Sequence, residues 1–260
     1  MRAALILVAL IALTALIGPL LIHWPYDAID WNAVRAEPFA EGHLAGTDSV
    51  GRDLLARTLV GTRVTLGVAT AAALVALIVG VAWGAVAGWC GGRIDEAMMR
   101  VVDALYALPF MFVVILLMVV FGRSILLVFV GIGLVEWLTM ARVVRGQVLT
   151  LKNRPFVLAA EAAGARPLPI VIRHILPNLA GVAIAYLLLM VPQVVMIESF
   201  LSFLGLGVQE PMTSLGILIK DGADDMDIAP HALILPGAVL MAILICLTIA
   251  GEKLRDRMTA

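Results

Sequence analysis

The sequence predicts an all-α integral membrane protein with six transmembrane helices. Of the 260 residues, 62% are hydrophobic and 14% are charged, and the mean hydropathy is +1.06. Soluble domains carry about 25% charged and about 45 to 50% apolar residues, so a soluble enzyme and a disordered chain are both excluded. Long uncharged stretches recur along the chain. An α-helix forms its backbone hydrogen bonds within one segment and can therefore cross lipid, whereas a sheet with open edges cannot.

Six apolar stretches are candidates for spans, since a bilayer core needs about 20 residues per helix. They cover residues 3 to 22, 64 to 92, 105 to 121, 124 to 141, 179 to 200 and 233 to 250. We interpret the first as an uncleaved span rather than a signal peptide. Its apolar run is long, Arg2 is its only basic flank, and no clear A-x-A cleavage site follows.

Two long segments lie between spans on the outer side, residues 23 to 63 and 201 to 232. In the first segment, turn-forming residues continue to the pair Thr47-Asp48, a candidate helix N-cap. The apolar spacing of residues 54 to 60 then predicts a short amphipathic helix lying on the outer surface. Gly91-Gly92 is expected to end the second span.

The distribution of charge predicts that both termini are cytoplasmic. In that orientation 12 of the 18 Lys and Arg residues lie on the inner side, as the positive-inside rule requires. Four aspartates crowd into the second outer segment, where they form either a docking patch for a basic protein or a plain solvated loop: Asp221, Asp224, Asp225 and Asp227. The net charge of -1 indicates no nucleic-acid partner.

No enzyme constellation is present in the sequence. It contains no H-E-x-x-H, G-x-S-x-G or C-x-x-C, and no Gly-Lys pair that could form a phosphate-binding loop. Cys90 and Cys246 match no metal-ligand spacing, and we expect both to be buried and unpaired. We therefore predict no catalysis, no metal site and no cofactor in this chain. If ATP drives the protein, ATP and Mg²⁺ bind to another chain.

Two sets of residues within the spans are candidates for packing or function. Gly80, Gly84 and Gly88 share one helix face and allow a neighbouring helix to approach closely. Glu136 in the fourth span and Glu198 near the outer end of the fifth are costly in a membrane. They either face a water-filled pathway or make a structural hydrogen bond, and both alternatives stay open.

The cytoplasmic segment at about residues 150 to 178 is predicted to form two short helices joined by a glycine turn. Pro155 opens the first helix, Gly164 ends it, and Pro167 starts the second. Pro177 marks the return to the membrane. Such a projection either docks into a groove of another protein or lies as a hairpin on the membrane surface.

The same segment resembles the coupling loop of a known transporter family. Glu161 to Gly164 reads E-A-A-G and is followed by Ile175 to Asn178, I-L-P-N; together they are similar to the "EAA" motif in membrane subunits of bacterial ABC importers. Further similar blocks are His43 to Asp48, Gly51 to Asp53, Met98 to Arg100 with Asp103 and Pro109, Ala141-Arg142 with Arg145-Gly146, and Glu198 to Gly207. From about residue 43 onwards, the chain resembles the C-type permease subunits of peptide importers.

The resemblance implies the type I ABC importer transmembrane fold and a heteromeric complex in the bacterial cytoplasmic membrane. The implied partners are a homologous B-type permease, two cytosolic ATPase subunits, an extracytoplasmic substrate-binding protein and membrane lipid. Residues 1–61 would form an N-terminal helix and outer segment, residues 62–251 the transmembrane domain with the coupling loop, and residues 252–260 a short cytoplasmic tail.

Six residues would carry the coupling role that the resemblance implies: Glu161, Ala162, Ala163, Gly164, Leu176 and Pro177. The glutamate offers a charged hydrogen-bond partner, the alanines keep the surface thin, the glycine makes the turn, and the last two fix the junction with the fifth span. Such a loop performs no chemistry. It transmits closure of the ATPases as a rigid-body movement that switches the pathway between outward and inward access.

Three positions depart from the family pattern: Arg166 stands where Ser is common, and Leu215 and His231 stand where Trp is common. We expect the first to alter capping of the second coupling helix. The other two are expected to change docking of the binding protein or the aromatic belt at the outer interface. Only Met1 and Arg2 precede the first apolar run, so either the family's usual cytoplasmic extension is dispensable or the chosen start is late.

The predicted function is ATP-driven import of oligopeptides or dipeptides. One alternative is a nickel or metal-chelate importer of the same family, whose C subunits are similar. The other is a stand-alone, proton-coupled carrier in which Glu136 and Glu198 move the ion.

Overall fold

The structure is a computed structural model that describes residues 2–40, 42–122 and 125–259. Within these ranges it contains ten α-helices and no β-strand beyond an isolated bridge between Thr47 and Asp53. The helices are α1 (Arg2–Leu21), α2 (Leu54–Cys90), α3 (Gly92–Tyr106), α4 (Phe110–Phe121), α5 (Ile125–Lys152), α6 (Pro155–Ala162), α7 (Pro167–Ile170), α8 (Leu176–Phe203), α9 (Leu215–Asp224) and α10 (His231–Thr259). A π-helical turn, Val171–Ile175, joins α7 to α8.

Three helices of the described chain are long and apolar enough to cross a membrane. They are α2, α10 and the continuous helix Pro167–Phe203, which includes α7 and α8. The pair α3 and α4 makes a fourth span if it counts as one helix, bent by 77° at the break. Four predicted spans, the first, second, fifth and sixth, lie on α1, α2, α8 and α10 and extend at most two residues beyond them. The fourth lies in α5 except for residue 124, which is outside the described residues, and the third crosses the break between α3 and α4. The all-α membrane fold is confirmed, whereas the count of six spans stays a prediction.

The predicted short outer helix is wrong as a separate element. Leu54–Cys90 is one continuous helix of 37 residues, and its N-cap is Asp53 rather than the predicted Thr47-Asp48. Oδ1 of Asp53 accepts a 2.7 Å hydrogen bond from the N–H of Ala56, which satisfies one free donor of the first turn. The first turns of α2 are largely buried, because other segments fold over them.

Glycine and proline set the helix ends on the side of the molecule where α2 ends. Gly91 and Gly92 have φ values of +65° and +54° and end α2 as predicted. Pro109 separates α3 from α4, because proline lacks an N–H and disfavours a helical conformation in the preceding residue.

Cys246 is buried, but Cys90 is exposed, and both thiols are free. The predicted burial of Cys90 is wrong because no described neighbour covers that side of the helix end.

The core is built around close packing of α2 on α5. Gly80, Gly84 and Gly88 face α5, and we call this contact the α2–α5 seam. A Cβ on Gly84 would lie 2.5 Å from the carbonyl oxygen of Ala141 and 2.8 Å from Cβ of Val144. Cβ atoms on the other two glycines would meet α5 side chains at 2.5 and 2.8 Å. The seam therefore has no room for a side chain at these three positions, and the glycines permit the close approach.

Two segments, residues 22–53 (described except for residue 41) and 204–230, come together at the N-terminal end of α2 and form what we call the cap. The cap contains α9. Arg35 of the first segment lies 2.9 Å from Asp225 of the second, so an ion pair joins parts of the chain that are 190 residues apart.

Candidate functional site: the α6–α7 loop and the cap

The predicted glycine turn between two short helices is present, and we call the segment of residues 153–175 the α6–α7 loop. Pro155 occupies the first turn of α6, where its missing N–H breaks no bond. Gly164 has φ +79°. Its N–H donates a 2.9 Å hydrogen bond to the carbonyl oxygen of Glu161, and the N–H of Ala165 donates a 3.0 Å hydrogen bond to the carbonyl oxygen of Ala160. This pattern is a Schellman motif, which favours glycine in the left-handed position.

The tip of the α6–α7 loop is exposed. Glu161, Ala162, Ala163 and Gly164 are all exposed. Within the described part of the chain, the carboxylate of Glu161 forms no hydrogen bond or ion pair. The tip is therefore a small, thin surface that the rest of this chain leaves open for contact with another protein.

The base of the loop is held in the helical bundle. Val157, Ile170 and Ile175 have exposed fractions of 0 to 1% and anchor the loop from both of its sides. Leu176 is half-buried against the core, while Pro177 is exposed in the first turn of α8. The loop thus combines an open tip with a fixed base.

The second short helix does not stand alone. It continues through the π-helical turn into α8, so the predicted return to the membrane at Pro177 falls inside the continuous helix Pro167–Phe203. In the π-helical turn the N–H of Leu176 bonds to the carbonyl oxygen of Val171, one residue further back than in an α-helix. This wider turn accommodates the proline that follows, which has no N–H to donate. A displacement of the loop is therefore carried directly into a span.

Ion pairs join α3 to α5 beside the loop. Arg145 holds Asp95 with two hydrogen bonds, of 2.5 Å from Nε and 2.6 Å from Nη2. Arg142 lies 2.8 Å from Asp103, and its guanidinium carbon lies 4.2 Å from the centre of the Tyr106 ring. Both arginines belong to blocks that resemble the family, but the sequence did not predict their partners. The sequence signal that could have predicted the pairs is that α3 carries the aspartates and the C-terminal half of α5 carries the arginines.

A second polar cluster orders the cap at the other end of α2. Arg52 donates hydrogen bonds of 2.7 Å to Asp48 and 2.8 Å to Glu210, and the bond from Arg52 lowers the pKa of Glu210 below its ordinary value. His43 is completely buried, with Nδ1 2.8 Å from Oδ2 of the N-cap Asp53. The His43 to Asp53 region is thus the framework that fixes the start of α2.

The predicted acidic patch is largely engaged within the cap. Asp225 pairs with an arginine of the other segment, and Asp221 lies 3.8 Å from the buried Arg57. Burial raises the pKa of Asp221 above its ordinary value, against the opposing effect of Arg57. Asp224 lies 3.9 Å from a lysine one turn earlier, and Asp227 is exposed. These contacts leave less free acidic surface for a basic partner than the sequence predicts.

The two carboxylates of the spans lie in different surroundings. Glu198 is 1% exposed and accepts a 2.7 Å hydrogen bond from Ser202, with Oγ of Ser199 3.4 Å away. Glu136 is half-buried and has no hydrogen-bond partner among the described residues. The surroundings of Glu198 favour a structural hydrogen-bonding role, whereas a pathway role for Glu136 stays a prediction.

The three departures from the family pattern fall in different environments. Arg166 is the N-cap of α7 and makes no side-chain capping bond. Leu215 is completely buried at the start of α9, so it does not itself lie on the docking surface, and its expected effect on docking or on the interface belt stays a prediction. Leu215 is buried because this turn packs on α2, with the Leu215 N 3.2 Å from where a Cβ of Gly61 would lie. His231 is half-buried against the cap.

Comparison with known proteins gives a consistent family. Residues 80–259 match the family described as "Binding-protein-dependent transport system inner membrane component". The chain is 49% identical over 255 residues to the oligopeptide transport system permease protein OppC of Escherichia coli K12, across 98% of this chain and 84% of that protein. It is 39% identical over 257 residues to the dipeptide transport system permease protein DppC of Bacillus subtilis strain 168, across 98% and 79%.

A solved structure supports the fold. A chain from the MetNI methionine ABC transporter in inward-facing conformations aligns with a TM-score of 0.62 and 18% sequence identity. The alignment covers 78% of this chain and 97% of that one. The two chains therefore share the type I ABC importer transmembrane fold.

Proposed function

The chain belongs to the family of binding-protein-dependent transport system inner membrane components, and from this premise we propose that it is the permease subunit of an ATP-driven peptide importer. With a homologous B-type permease it forms the pathway for oligopeptides or dipeptides across the bacterial cytoplasmic membrane. Two cytosolic ATPase subunits bind ATP and Mg²⁺, and an extracytoplasmic binding protein delivers the peptide. The chain itself catalyses no reaction.

The α6–α7 loop is the observation that carries this proposal. Its exposed tip offers Glu161 and a left-handed Gly164 turn to a partner, and its second half is one continuous helix with a span. A continuous helix transmits a movement of its end with little loss, so closure of an ATPase groove around the tip displaces the span as a rigid body. The loop is therefore the coupling element between ATP hydrolysis and the change of access.

The proposed orientation places this loop and both termini in the cytoplasm. The loop and the neighbouring ends of α3 and α5 carry Arg93, Arg100, Arg154, Arg166 and Arg173, as expected on the cytoplasmic side. The cap, at the opposite end of α2, then faces outwards. It is the surface that the binding protein contacts, through its exposed residues rather than through the paired aspartates.

The alternatives receive less support. A nickel or metal-chelate importer uses the same coupling loop, and the described residues contain no group of three or more His, Cys, Asp and Glu placed to hold a metal ion. A chelated metal needs no such group, so the substrate is decided by experiment. A stand-alone proton carrier needs several carboxylates in register, and Glu198 is already occupied by serine hydroxyls.

The test is peptide-stimulated ATPase activity in proteoliposomes that contain this chain, its B-type permease, both ATPases and the binding protein. Gly164→Val places a branched side chain at φ +79°, which costs about 1 to 2 kcal/mol and distorts the turn. We expect it to reduce stimulation about tenfold, because about 1.4 kcal/mol is tenfold in a population. Gly164→Asn tolerates the left-handed conformation and is expected to retain most of the stimulation.

Gly205 provides a matched control, because it is also a left-handed glycine at a helix end. Its φ is +76°, and the same hydrogen-bond pattern closes the end of α8 in the cap. Gly205→Val is expected to leave binding of the ATPases intact, whereas Gly164→Val weakens it. Full stimulation in Gly164→Val would refute the coupling role. Stimulation by a metal or metal chelate but not by a mixed peptide pool would replace the proposed substrate.

A further inference from the structure

A groove between α1 and α2 ends at Arg63, which has no partner among the described residues. The groove is a cavity of about 450 Å³ with mostly apolar walls. Its lining includes Ala12 and Ala15 from α1 and Arg63, Gly67, Thr70 and Leu74 from α2. It opens at the edge of the bundle, because α1 packs mainly on α2 and α10.

Arg63 lies in the third turn of the apolar helix α2 and is not neutralised by any residue that the structure describes. Its side chain is exposed, and it forms no hydrogen bond or ion pair with any described residue. Arg57, six residues earlier on the same helix, lies 3.5 Å from Asp48 and 3.8 Å from Asp221. At the membrane interface, an exposed guanidinium without a partner in the described chain attracts an anionic group from outside the chain.

The shape of the groove indicates which kind of molecule supplies that anion. The α2 wall runs from Arg63 to Leu74, which at 1.5 Å per residue is about 16 Å. This length is close to half of the roughly 30 Å hydrocarbon core of a bilayer. A Cβ on Gly67 would meet nothing within 4 Å, so the middle of the groove is open. The groove thus has the length of one leaflet and a cation at the end nearer the cap.

We propose that the groove binds one anionic phospholipid, with its phosphate on Arg63 and an acyl chain along the wall from Gly67 to Leu74. A guanidinium holds a phosphate through two parallel hydrogen bonds, and the apolar wall suits an alkyl chain. A peptide fits less well, because its backbone amides need several polar partners and the wall from Gly67 to Leu74 offers only the hydroxyl of Thr70. With the orientation proposed above, the lipid belongs to the outer leaflet.

The first experiment is native mass spectrometry of the purified full chain, titrated with phosphatidylglycerol or with phosphatidylcholine. We expect the chain to retain one phosphatidylglycerol, and we expect Arg63→Gln to weaken its binding about tenfold, the order of effect of one charge-assisted hydrogen bond. Arg93→Gln is the matched control, since Arg93 is also exposed and also has no partner among the described residues. It removes the same charge outside the groove and should leave binding unchanged.

A second variant tests the acyl-chain half of the groove without touching the arginine. Gly67→Leu fills the open space at Gly67 and is expected to reduce retention of phosphatidylglycerol severalfold, because one side chain displaces several methylene contacts. Gly237→Leu in α10 is its control, since a Cβ there also meets nothing within 4 Å and the position lies outside the groove. Elution of all four variants as monodisperse protein establishes that they are folded.

Three results would overturn the proposal. If Arg63→Gln and Arg93→Gln weaken the binding of phosphatidylglycerol equally, the lipid is held by general charge attraction rather than by the groove. Unchanged binding in both Arg63→Gln and Gly67→Leu would place the lipid elsewhere. Loss of assembly with the B-type permease in Arg63→Gln, with lipid binding intact, would give Arg63 a protein partner instead. The experiment uses no peptide and no ATP, so its failure leaves the proposed transport function untouched.

Discussion

Replacing Gly84 with alanine is expected to open the α2–α5 seam. The added Cβ would lie 2.5 Å from the carbonyl oxygen of Ala141 and 2.8 Å from Cβ of Val144, whereas carbon contacts are favourable at about 3.5 to 4.0 Å. One neighbour is backbone and the other is the first side-chain carbon, so rotation of a side chain relieves neither clash. The two helices must move apart locally by about 1 Å to restore a normal contact distance.

The free-energy change follows from two opposing effects. Overpacking of a filled interior costs about 1 to 3 kcal/mol, while alanine gains about 0.5 to 1 kcal/mol over glycine within a helix. Gly67→Ala isolates the second effect, because its Cβ lies on the same helix in open space. We therefore expect Gly84→Ala to be about 1 to 3 kcal/mol less stable than Gly67→Ala.

The assay is reversible unfolding of the purified full chain in mixed micelles by sodium dodecyl sulfate, followed by circular dichroism. The quantity compared is the free energy of unfolding of Gly84→Ala against that of Gly67→Ala. Equal free energies would refute the reasoning, since they would mean that the helices separate at no cost. Similar losses in Gly80→Ala and Gly88→Ala would extend the result along the whole seam.

Three further predictions concern the polar clusters. Asp95→Asn is expected to lower the free energy of unfolding by about 1 to 3 kcal/mol, because it breaks a bidentate ion pair in which the Asp95 side chain is largely buried. Asp103→Asn, which breaks a more exposed ion pair, should lower it by less than about 1 kcal/mol. The pKa of Glu210 is lowered by Arg52, so its stabilising contribution is complete above the ordinary carboxyl pKa and is lost as the pH falls through the lowered value. Thermal unfolding as a function of pH should show this loss, and Glu210→Gln should remove it. The pKa of Asp221 is raised by burial, so this group alone makes the fold more stable as the pH falls through the raised value, and Asp221→Asn should abolish that trend. A Glu210 or Asp221 variant with the pH profile of the unchanged chain would contradict the assignment for that residue.

Predictions of helix ends from proline and glycine were correct at three places. Pro155 and Gly164 delimit the first helix of the loop as predicted, and Gly91 and Gly92 end α2. The conformational restriction of proline and the freedom of glycine act within a few residues. These signals therefore do not depend on which other helix is nearby.

Predictions that depend on distant neighbours failed or stayed open. The start of α2 is capped by Asp53 rather than by Thr47-Asp48, and the hydroxyl of Thr47 instead accepts a 2.8 Å hydrogen bond from the N–H of the distant Ala36. The sequence places Leu215 in an outer loop and Cys90 beside an apolar run, but the first is completely buried and the second is exposed. Burial of a residue at the end of a helix depends on which other element covers it.

The sequence by itself determined the all-α membrane architecture, the presence of the α6–α7 loop and the family resemblance. Length of apolar runs, proline and glycine positions and short motifs are properties of contiguous residues, and they need no partner in space. Only the tertiary structure decided that Glu198 is held by serine hydroxyls, that Asp225 pairs with Arg35 and that Arg63 has no partner in the described chain. The free energy of a polar group in a membrane depends on what lies beside it, and helices far apart in the sequence supply those neighbours.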